Sequence, residues 1–385
     1  MPHEDAPQRV LQFLDDEGYN PSSPIRSQRI AEFVLQDLLH INKKLQDMAQ
    51  NEEIAYQLSY NDFPTKASGA NLVLGPVSRS VELKDVEYPI AEAEPDEVWF
   101  ALNIESLMTR HQQNRGNCLK RMQSALLEAR LVENPIVMGG LLLTNTSEEA
   151  LFEHLDSVRD HDDPGTHVDN VISDLERMDT RLESTDVLGA IVVNYDGMSP
   201  AELHTDFPAP SETDEIHYDL MVSRISNEID KQFLGLPDPQ TDTAVDFIDR
   251  GEGRTIEFKD PRASADDIAK VAASMLNTDG GVILVGVNDD GNLTDIPDTD
   301  QTQHDIANTF YERLGGTIGD IIIEVEEVDG NDVILIRIPP SQQTLYEVNG
   351  KFYIRIGESK KPMTSEVINR FFKDRFNSNP SDFLK

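Results

Sequence analysis

One stretch organises the chain: residues 251–291 read GEGRTIEFKDPRASADDIAKVAASMLNTDGGVILVGVNDDG. Its segment from Thr255 to Lys259 alternates polar and apolar residues, which is the pattern of a half-buried strand. Ser264 opens a capping box before an amphipathic helix that ends near Asn277. Residues 282–287 are apolar throughout, as in a buried central strand. The stretch therefore predicts a strand, a helix and a second strand.

Three carboxylates and a lysine stand at the ends of these predicted strands. Glu257 and Lys259 share one strand face, flanking glycines permit a turn that brings Glu252 back towards them, and Asp289 follows the second strand. Two strands joined through a helix bring their ends side by side, so the three acids are expected to converge. Carboxylates are ligands that Mg²⁺ or Mn²⁺ accepts together with phosphate oxygens, and such a metal promotes phosphodiester cleavage. The alternative is that the acids are solvated surface.

Four ordered motifs carry a family resemblance. They are Glu252-x4-Glu257-Phe258-Lys259, Asn277-Thr278-x-Gly280-Gly281, Gly286-Val287-Asn288-Asp289 and Tyr353-Ile354-Arg355-Ile356-Gly357. With these motifs, residues 248–376 resemble the Schlafen AlbA domain. The sequence departs from many relatives at Asn288, where they carry Asp, and at Met275-Leu276, where Phe-Ala is common.

The resemblance implies a mixed α/β domain that binds nucleic acid, either DNA or RNA. In its nuclease members the acids match Glu252, Glu257 and Asp289, so the implied site is metal-dependent, with Lys259 assisting catalysis. Other relatives are regarded as DNA-binding transcription regulators. Two functions therefore stay open, a divalent-metal-dependent endonuclease acting on RNA or single-stranded DNA and a non-catalytic DNA-binding regulator.

The composition is strongly acidic, with 71 Asp and Glu against 33 Lys and Arg and a formal net charge of −38. This balance is similar to that of halophilic proteins from salt-accumulating archaea. At molar salt, repulsion between exposed charges is screened within a few ångströms, about 3 Å at 1 M. The net charge therefore does not exclude a nucleic-acid partner.

One basic island stands out against this background. Between Asn349 and Phe376 seven bases accompany three acids. The residues predicted to contact nucleic acid are Lys351, Tyr353, Arg355, Lys360, Lys361, Arg370 and Lys373. The cations would contact phosphates and the tyrosine would stack on bases. The alternative is an ordinary mixed-charge hairpin and helix.

The N-terminal half alternates helical and strand-like patterns and weakly resembles the restriction-endonuclease-like α/β fold. In that fold an acid precedes a strand that bears Glu-x-Lys. Here the comparable segment is Ala101 to Ser106, preceded by Asp85 and Asp96, and its lysine is missing. We therefore predict that this half is not catalytic through those residues.

Three further clusters are interpreted as structural. The spacings of His154, His161 and His167 match no zinc-ligand pattern, and we predict that they lie in a solvated acidic loop. A basic group on a predicted helix reads as mixed-charge surface; it consists of Arg110, His111, Arg115, Lys120 and Arg121. Cys118 is the one cysteine in the sequence, which excludes an internal disulfide.

The predicted fold class is α/β (α+β), with an N-terminal mixed-sheet α/β domain and a C-terminal mixed α/β domain. The predicted boundaries are a flexible N-terminus at 1–23, a domain at 24–234, a linker at 235–247, a nucleic-acid-binding domain at 248–376 and a tail at 377–385. No apolar run approaches a membrane span, so a cytoplasmic protein is expected. A homodimer is compatible with the sequence.

Overall fold

Helices and strands alternate along both halves of the chain. The protein is described from a computed structural model that covers residues 4–18, 24–61, 69–84, 86–131, 136–152, 157–160, 163–180, 182, 185–212, 214–235, 242–314, 320–341, 344–356, 359–365 and 368. The chain divides into two units, Met1–Gly235 and Leu236–Lys385, called here the N-terminal and C-terminal units. Each unit is mixed α/β, as the sequence predicts.

The N-terminal unit contains six helices and nine strands among its described residues. The helices are α1 (Ala6–Glu17), α2 (Pro24–Ile41), α3 (Lys43–Gln50), α4 (His111–Ala129), α5 (Pro164–Asp179) and α6 (Tyr218–Ile229), the last followed by a π-helical turn, Asp230–Leu234. The strands are β1 (Ile54–Tyr60), β2 (Ala70–Pro76), β3 (Ala91–Glu92), β4 (Phe100–Leu107), β5 (Val137–Asn145), β6 (Glu149–Phe152), β7 (Ser157–Asp160), β8 (Asp186–Asn194) and β9 (Glu202–Leu203).

Seven of these strands form one sheet in the order β3-β1-β2-β4-β5-β8-β9. β1, β2 and β4 are antiparallel neighbours, whereas β4, β5 and β8 run parallel through the crossover helices α4 and α5. One face packs against α1, α2, α3 and α6, and the other packs against α4 and α5. β5 and β8 are apolar along nearly their whole length because both of their faces are buried.

Two segments of the N-terminal unit differ from the sequence prediction. The predicted flexible N-terminus contains α1, which is capped by Asp5 and buries Ala6, Val10 and Leu14 in the core. The apolar residues recur at intervals of four, too few for the periodicity to distinguish a full helix from a single turn. The end of the predicted acidic loop forms the first turn of α5, because Asp163 caps a helix that begins at Pro164 and Gly165 is accommodated in that turn.

The C-terminal unit contains three helices and seven strands among its described residues. They are α7 (Ala244–Arg250), β10 (Ile256–Lys259), α8 (Ala265–Leu276), β11 (Gly281–Val285), α9 (Thr299–Arg313), β12 (Ile322–Val328), β13 (Asn331–Ile338), β14 (Glu347–Val348), β15 (Lys351–Ile356) and β16 (Ser359–Pro362). The strand, helix and strand predicted for residues 251–291 are β10, α8 and β11.

A four-stranded sheet with the order β10-β11-β13-β12 forms the centre of this unit. β10 and β11 are parallel, as their connection through a crossover helix permits, and the remaining pairs are antiparallel. α8 and α9 cover one face together with β14 and β15, while α7 covers the other. β14, β15 and β16 form a separate small antiparallel sheet.

Helix α7 begins inside the segment predicted as a linker. Thr243 and Asp246 form a capping box, and Phe247 is buried. Seven residues with two apolar anchors are too short for a helical period to be recognised in the sequence. The remainder of that segment, 236–241, and the tail at 377–385 lie outside the described residues. Within the described chain, no helix combines the length and apolar character needed to cross a bilayer.

Candidate functional site

β10 is the edge strand that presents the predicted catalytic pair. Its register pairs Glu257 with Ile283 and Lys259 with Val285 of β11, so both polar side chains lie on the face covered by α8. The alternate residues Ile256 and Phe258 pack on the opposite face. The period-2 pattern of the sequence therefore places Glu257 and Lys259 on one face, as predicted.

Glu257 is buried, with 6% of its surface exposed, and it is compensated by two cations. Lys259 Nζ forms an ion pair with Glu257 Oε1. Arg355 Nη1 of β15 lies 2.6 Å from Glu257 Oε2. A buried carboxylate is costly unless it is paired, and here each of its oxygens has its own cation.

Arg355 is the second half of this arrangement and is only 1% exposed. Its Nε donates to the carbonyl of Arg254 at 3.0 Å, and its Nη2 donates to the carbonyls of Gly253 at 2.7 Å and Ile256 at 3.3 Å. The guanidinium thus ties β15 to the loop that precedes β10. The sequence placed Arg355 on a phosphate-contacting surface, whereas the structure places it in the interior, because its charge is needed there to balance Glu257.

Glu252 lies in the loop before β10 and folds back along the strand. Its Oε1 accepts a hydrogen bond of 2.7 Å from the backbone N–H of Phe258, a group that the edge strand would otherwise leave without a partner. Burial raises the pKa of Glu252, and the nearby charges of Glu257 and Asp289 raise it further. The three predicted acids are therefore close enough to interact electrostatically.

Asp289 is exposed in the turn after β11. The turn is held by Asn288, whose Oδ1 accepts hydrogen bonds from the N–H groups of Asp290 and Asn292. The asparagine that replaces the aspartate of many relatives thus has a local structural use, since the same bonds need only a side-chain oxygen.

The three acids do not fit a metal ion as they lie in this structure. Both oxygens of Glu257 face cations, and one oxygen of Glu252 is bonded to Phe258. Within the described part of the chain, no three His, Cys, Asp or Glu side chains are grouped so that they could hold a metal. The arrangement is a salt-bridged core with a partly buried acid beside it.

The Asn-Thr-x-Gly-Gly turn has a clear structural role. Asn277 Nδ2 donates to the carbonyls of Tyr346 and Tyr353, and its Oδ1 accepts from the N–H of Tyr346, so one amide fastens the end of α8 to the β14–β15 ribbon. Gly281 has φ 144°, and a Cβ there would lie 2.3 Å from the carbonyl oxygen of Thr255. Only glycine permits β10 and β11 to approach this closely.

Cations gather where α8, α9 and the β15–β16 hairpin meet. Lys270 and Arg313 pair with Asp266 at 3.1 and 3.2 Å, and Lys360 pairs with Asp267 at 3.0 Å. Lys351 is exposed at the start of β15. We define the hairpin patch as Lys270, Arg313, Lys351, Lys360 and Lys361. Three of its cations pair with two carboxylates, and the pKa of Asp266 is lowered by its hydrogen bond with Lys270.

The structure changes the membership of the predicted basic surface. Lys351, Lys360 and Lys361 remain on it, and Tyr353 is half-buried against the core beneath α8. Arg370 and Lys373 lie outside the described residues. The sequence analysis missed Lys270 and Arg313. Lys270 could have been predicted to pair with Asp266, because the two residues lie four positions apart on one helix. No local pattern points to Arg313.

Some of the residues considered in the N-terminal half are described, and these are held by local contacts or lie in a helix. Asp96 accepts a 2.7 Å hydrogen bond from the N–H of Ser78, which helps to lower its pKa. Glu105 is held by both Nε and Nη2 of Arg121. Asp85, His154 and His161 lie outside the described residues, and His167 lies in α5.

Comparison with known proteins identifies the C-terminal segment. Residues 252–364 match the family model described as Schlafen, AlbA_2. No curated protein matches the chain.

Solved structures also align with about a third of the chain. The crystal structure of the DIP2311 protein from Corynebacterium diphtheriae aligns at 20% identity over 32% of this chain and 24% of that one, with a TM-score of 0.26. The solution structure of the N-terminal domain of a DNA helicase RecG-related protein from Nitrosomonas europaea aligns at 22% identity over 32% of this chain and 95% of that one, with a TM-score of 0.26. This chain thus spans about a quarter of the DIP2311 protein.

Proposed function

From the premise that residues 252–364 form a Schlafen AlbA_2 domain, we propose that this domain binds nucleic acid through the hairpin patch. The observation that carries the proposal is that Lys270, Arg313 and Lys360 gather around Asp266 and Asp267, with Lys351 and Lys361 on the adjoining strands β15 and β16, in a chain whose net charge is −38. Charges beyond about 8 Å are screened at physiological salt, so the local cations govern what approaches this surface.

The buried core of the domain supports binding rather than cleavage. Glu257 is already neutralised by Lys259 and Arg355, so its charge is balanced without a metal. Glu252 is engaged by the backbone of β10. These contacts give the family motifs a sufficient structural use, namely holding β15 and the hairpin patch against the sheet.

The test is binding of fluorescein-labelled single-stranded and duplex DNA and RNA to the full chain, followed by anisotropy over a salt series that extends to molar KCl. Replacing Lys351, Lys360 and Lys361 with alanine should weaken binding of every sequence. Each lost phosphate contact should lower the slope of log K against log salt by about 0.7 to 0.9. The matched control replaces Arg29 and Arg177, exposed cations of the N-terminal unit, and should leave affinity unchanged. Equal loss in both variants would contradict the proposal.

A second function, metal-dependent cleavage, is kept as the alternative because the partly buried Glu252 lies within electrostatic reach of Glu257 and Asp289, and it would require Glu257 to release Lys259 and Arg355. Clustered acids that repel one another are a recurring feature of catalytic sites. Incubation of labelled RNA and single-stranded DNA with Mg²⁺ or Mn²⁺, with and without EDTA, tests it. Cleavage that requires metal and disappears in Asp289→Asn would establish this function, and cleavage that survives the substitution would assign it to another site.

A further inference from the structure

A polar cleft opens in the sheet of the N-terminal unit, between β2 and β4. The two strands are paired from Leu74 and Phe100 to Leu72 and Leu102. In register, Asn71 and Asn103 would form the next pair, but here the strands separate. β2 stays paired with β1, and β4 stays paired with β5. The N–H of Ile104 donates instead to Asn71 Oδ1 at 2.6 Å, so a side chain replaces the missing ladder bond.

The opening has a volume of about 590 Å³ and is covered on one side by α4. Its lining includes four asparagines, two serines, one acid and two cations, and none of these described lining residues is aromatic. Such a surface offers more hydrogen-bonding area than apolar area. It therefore suits a hydroxyl-rich molecule.

Asn103 adds an unpaired polar group to the wall of the cleft. It lies in β4 with 7% of its surface exposed, and its Oδ1 has no hydrogen-bond partner among the described residues. Buried polar atoms are almost always bonded, so an unpaired one calls for an explanation. Asn103 borders the cleft, so its amide belongs to the wall that a ligand would meet.

The charged residues of the cleft indicate which further chemical group the ligand carries. Lys120 is exposed on α4 and borders the cleft beside Arg121, whose guanidinium is anchored by Glu105. Two cations accompany one acid here, within a chain that carries a net charge of −38. Lys120 supplies an ammonium for a phosphate group, and Arg121, whose Nε and Nη2 are bonded to Glu105, offers its remaining N–H groups. The sequence analysis treated these cations as ordinary mixed-charge surface.

We infer that this cleft binds a phosphorylated sugar, with its phosphate at Lys120 and Arg121 and its hydroxyls at Asn71 and Asn103. The same chemistry is present in a free sugar phosphate and in the ribose phosphate of a mononucleotide. The site belongs to the N-terminal unit and does not depend on nucleic-acid binding by the C-terminal unit.

Isothermal titration of the full chain with ribose 5-phosphate, AMP and inorganic phosphate tests the inference. Saturable binding of ribose 5-phosphate or AMP, at least ten-fold tighter than that of inorganic phosphate, supports it, and the tighter of the two identifies the source. Phosphate binding as tight as that of both sugar phosphates overturns it, as does an absence of binding at millimolar ligand.

Two variants separate binding from folding. Lys120→Ala removes an exposed side chain and should weaken binding at least ten-fold at unchanged thermal stability. Asn103→Leu replaces an unpaired buried amide with an apolar group, so it should keep or raise thermal stability while it weakens ribose 5-phosphate binding ten-fold or more. Arg177→Ala, an exposed cation of the same unit that does not line the cleft, is the matched control. Sugar-phosphate affinity that is unchanged in both Lys120→Ala and Asn103→Leu overturns the inference.

Discussion

Replacement of Arg355 by methionine probes the interior of the C-terminal unit directly. The substitution leaves the Glu257 carboxylate buried with Lys259 as its remaining cation, and it deprives the carbonyls of Gly253, Arg254 and Ile256 of their donor. Removing one partner of a buried ion pair costs roughly 3–5 kcal/mol. In a unit of this size that corresponds to a fall in melting temperature of about 10 °C.

Hydrogen exchange read by mass spectrometry assigns the effect to its region. Amides of β10 and β15 should exchange about 150- to 5,000-fold faster in Arg355→Met, which is the same free energy expressed as a rate ratio, whereas amides of β4 and β5 in the N-terminal unit should not change. The control is Lys351→Met on the same strand, an exposed position where less than about 0.5 kcal/mol is expected.

A second substitution separates charge from packing. If the cost comes from the uncompensated carboxylate, the double variant Glu257→Met with Arg355→Met should recover part of the stability that Arg355→Met loses, because the remaining unpaired charge is then that of Lys259, which is more exposed than Glu257. Exchange rates in Arg355→Met that match those of Lys351→Met would refute the reasoning. They would mean that Glu257 needs no partner from β15.

Three further predictions follow from individual contacts. Glu252→Gln keeps an oxygen for the N–H of Phe258 but cannot ionise. Because the pKa of Glu252 is raised, its contribution to stability is present at low pH and lost as pH rises. The variant should therefore melt higher than the wild type at pH 7, and the difference should vanish below about pH 4. Gly281→Ala should destabilise the unit by at least about 2 kcal/mol in urea titrations, whereas Gly253→Ala, whose Cβ meets nothing within 4 Å, should be nearly neutral. Asp266→Asn should tighten nucleic-acid binding in the anisotropy assay, because Lys270 and Arg313 then lose their competing carboxylate; weaker binding would exclude the hairpin patch as the contact surface.

Local pattern was sufficient for the framework around residues 251–291. Alternation in β10, the capping box of α8 and the apolar run of β11 each reflect a rule that acts over a few residues, and the structure has these elements where they were predicted. The shared face of Glu257 and Lys259 follows from the same alternation.

What the sequence could not supply is the identity of distant partners. An arginine among lysines in an acidic chain reads as surface, but Arg355 is buried because Glu257 lies opposite it, a pairing across about a hundred positions that no local period encodes. Helix α7 was missed because a short element is stabilised by tertiary contacts more than by its own pattern. The missing strand pair between Asn71 and Asn103 likewise depends on how β2 and β4 separate beyond Leu72 and Leu102.

The amide clasp of Asn277 has a mechanical consequence. The side chain of Asn277 bonds to the β14–β15 ribbon at both Tyr346 and Tyr353. The ribbon therefore cannot separate from α8 unless three hydrogen bonds break together. If nucleic acid binds at Lys351 and Lys360, as proposed, it therefore contacts a surface that is already organised in the free protein. Binding then costs little backbone conformational entropy in the protein, which favours binding to a preformed surface over induced fit.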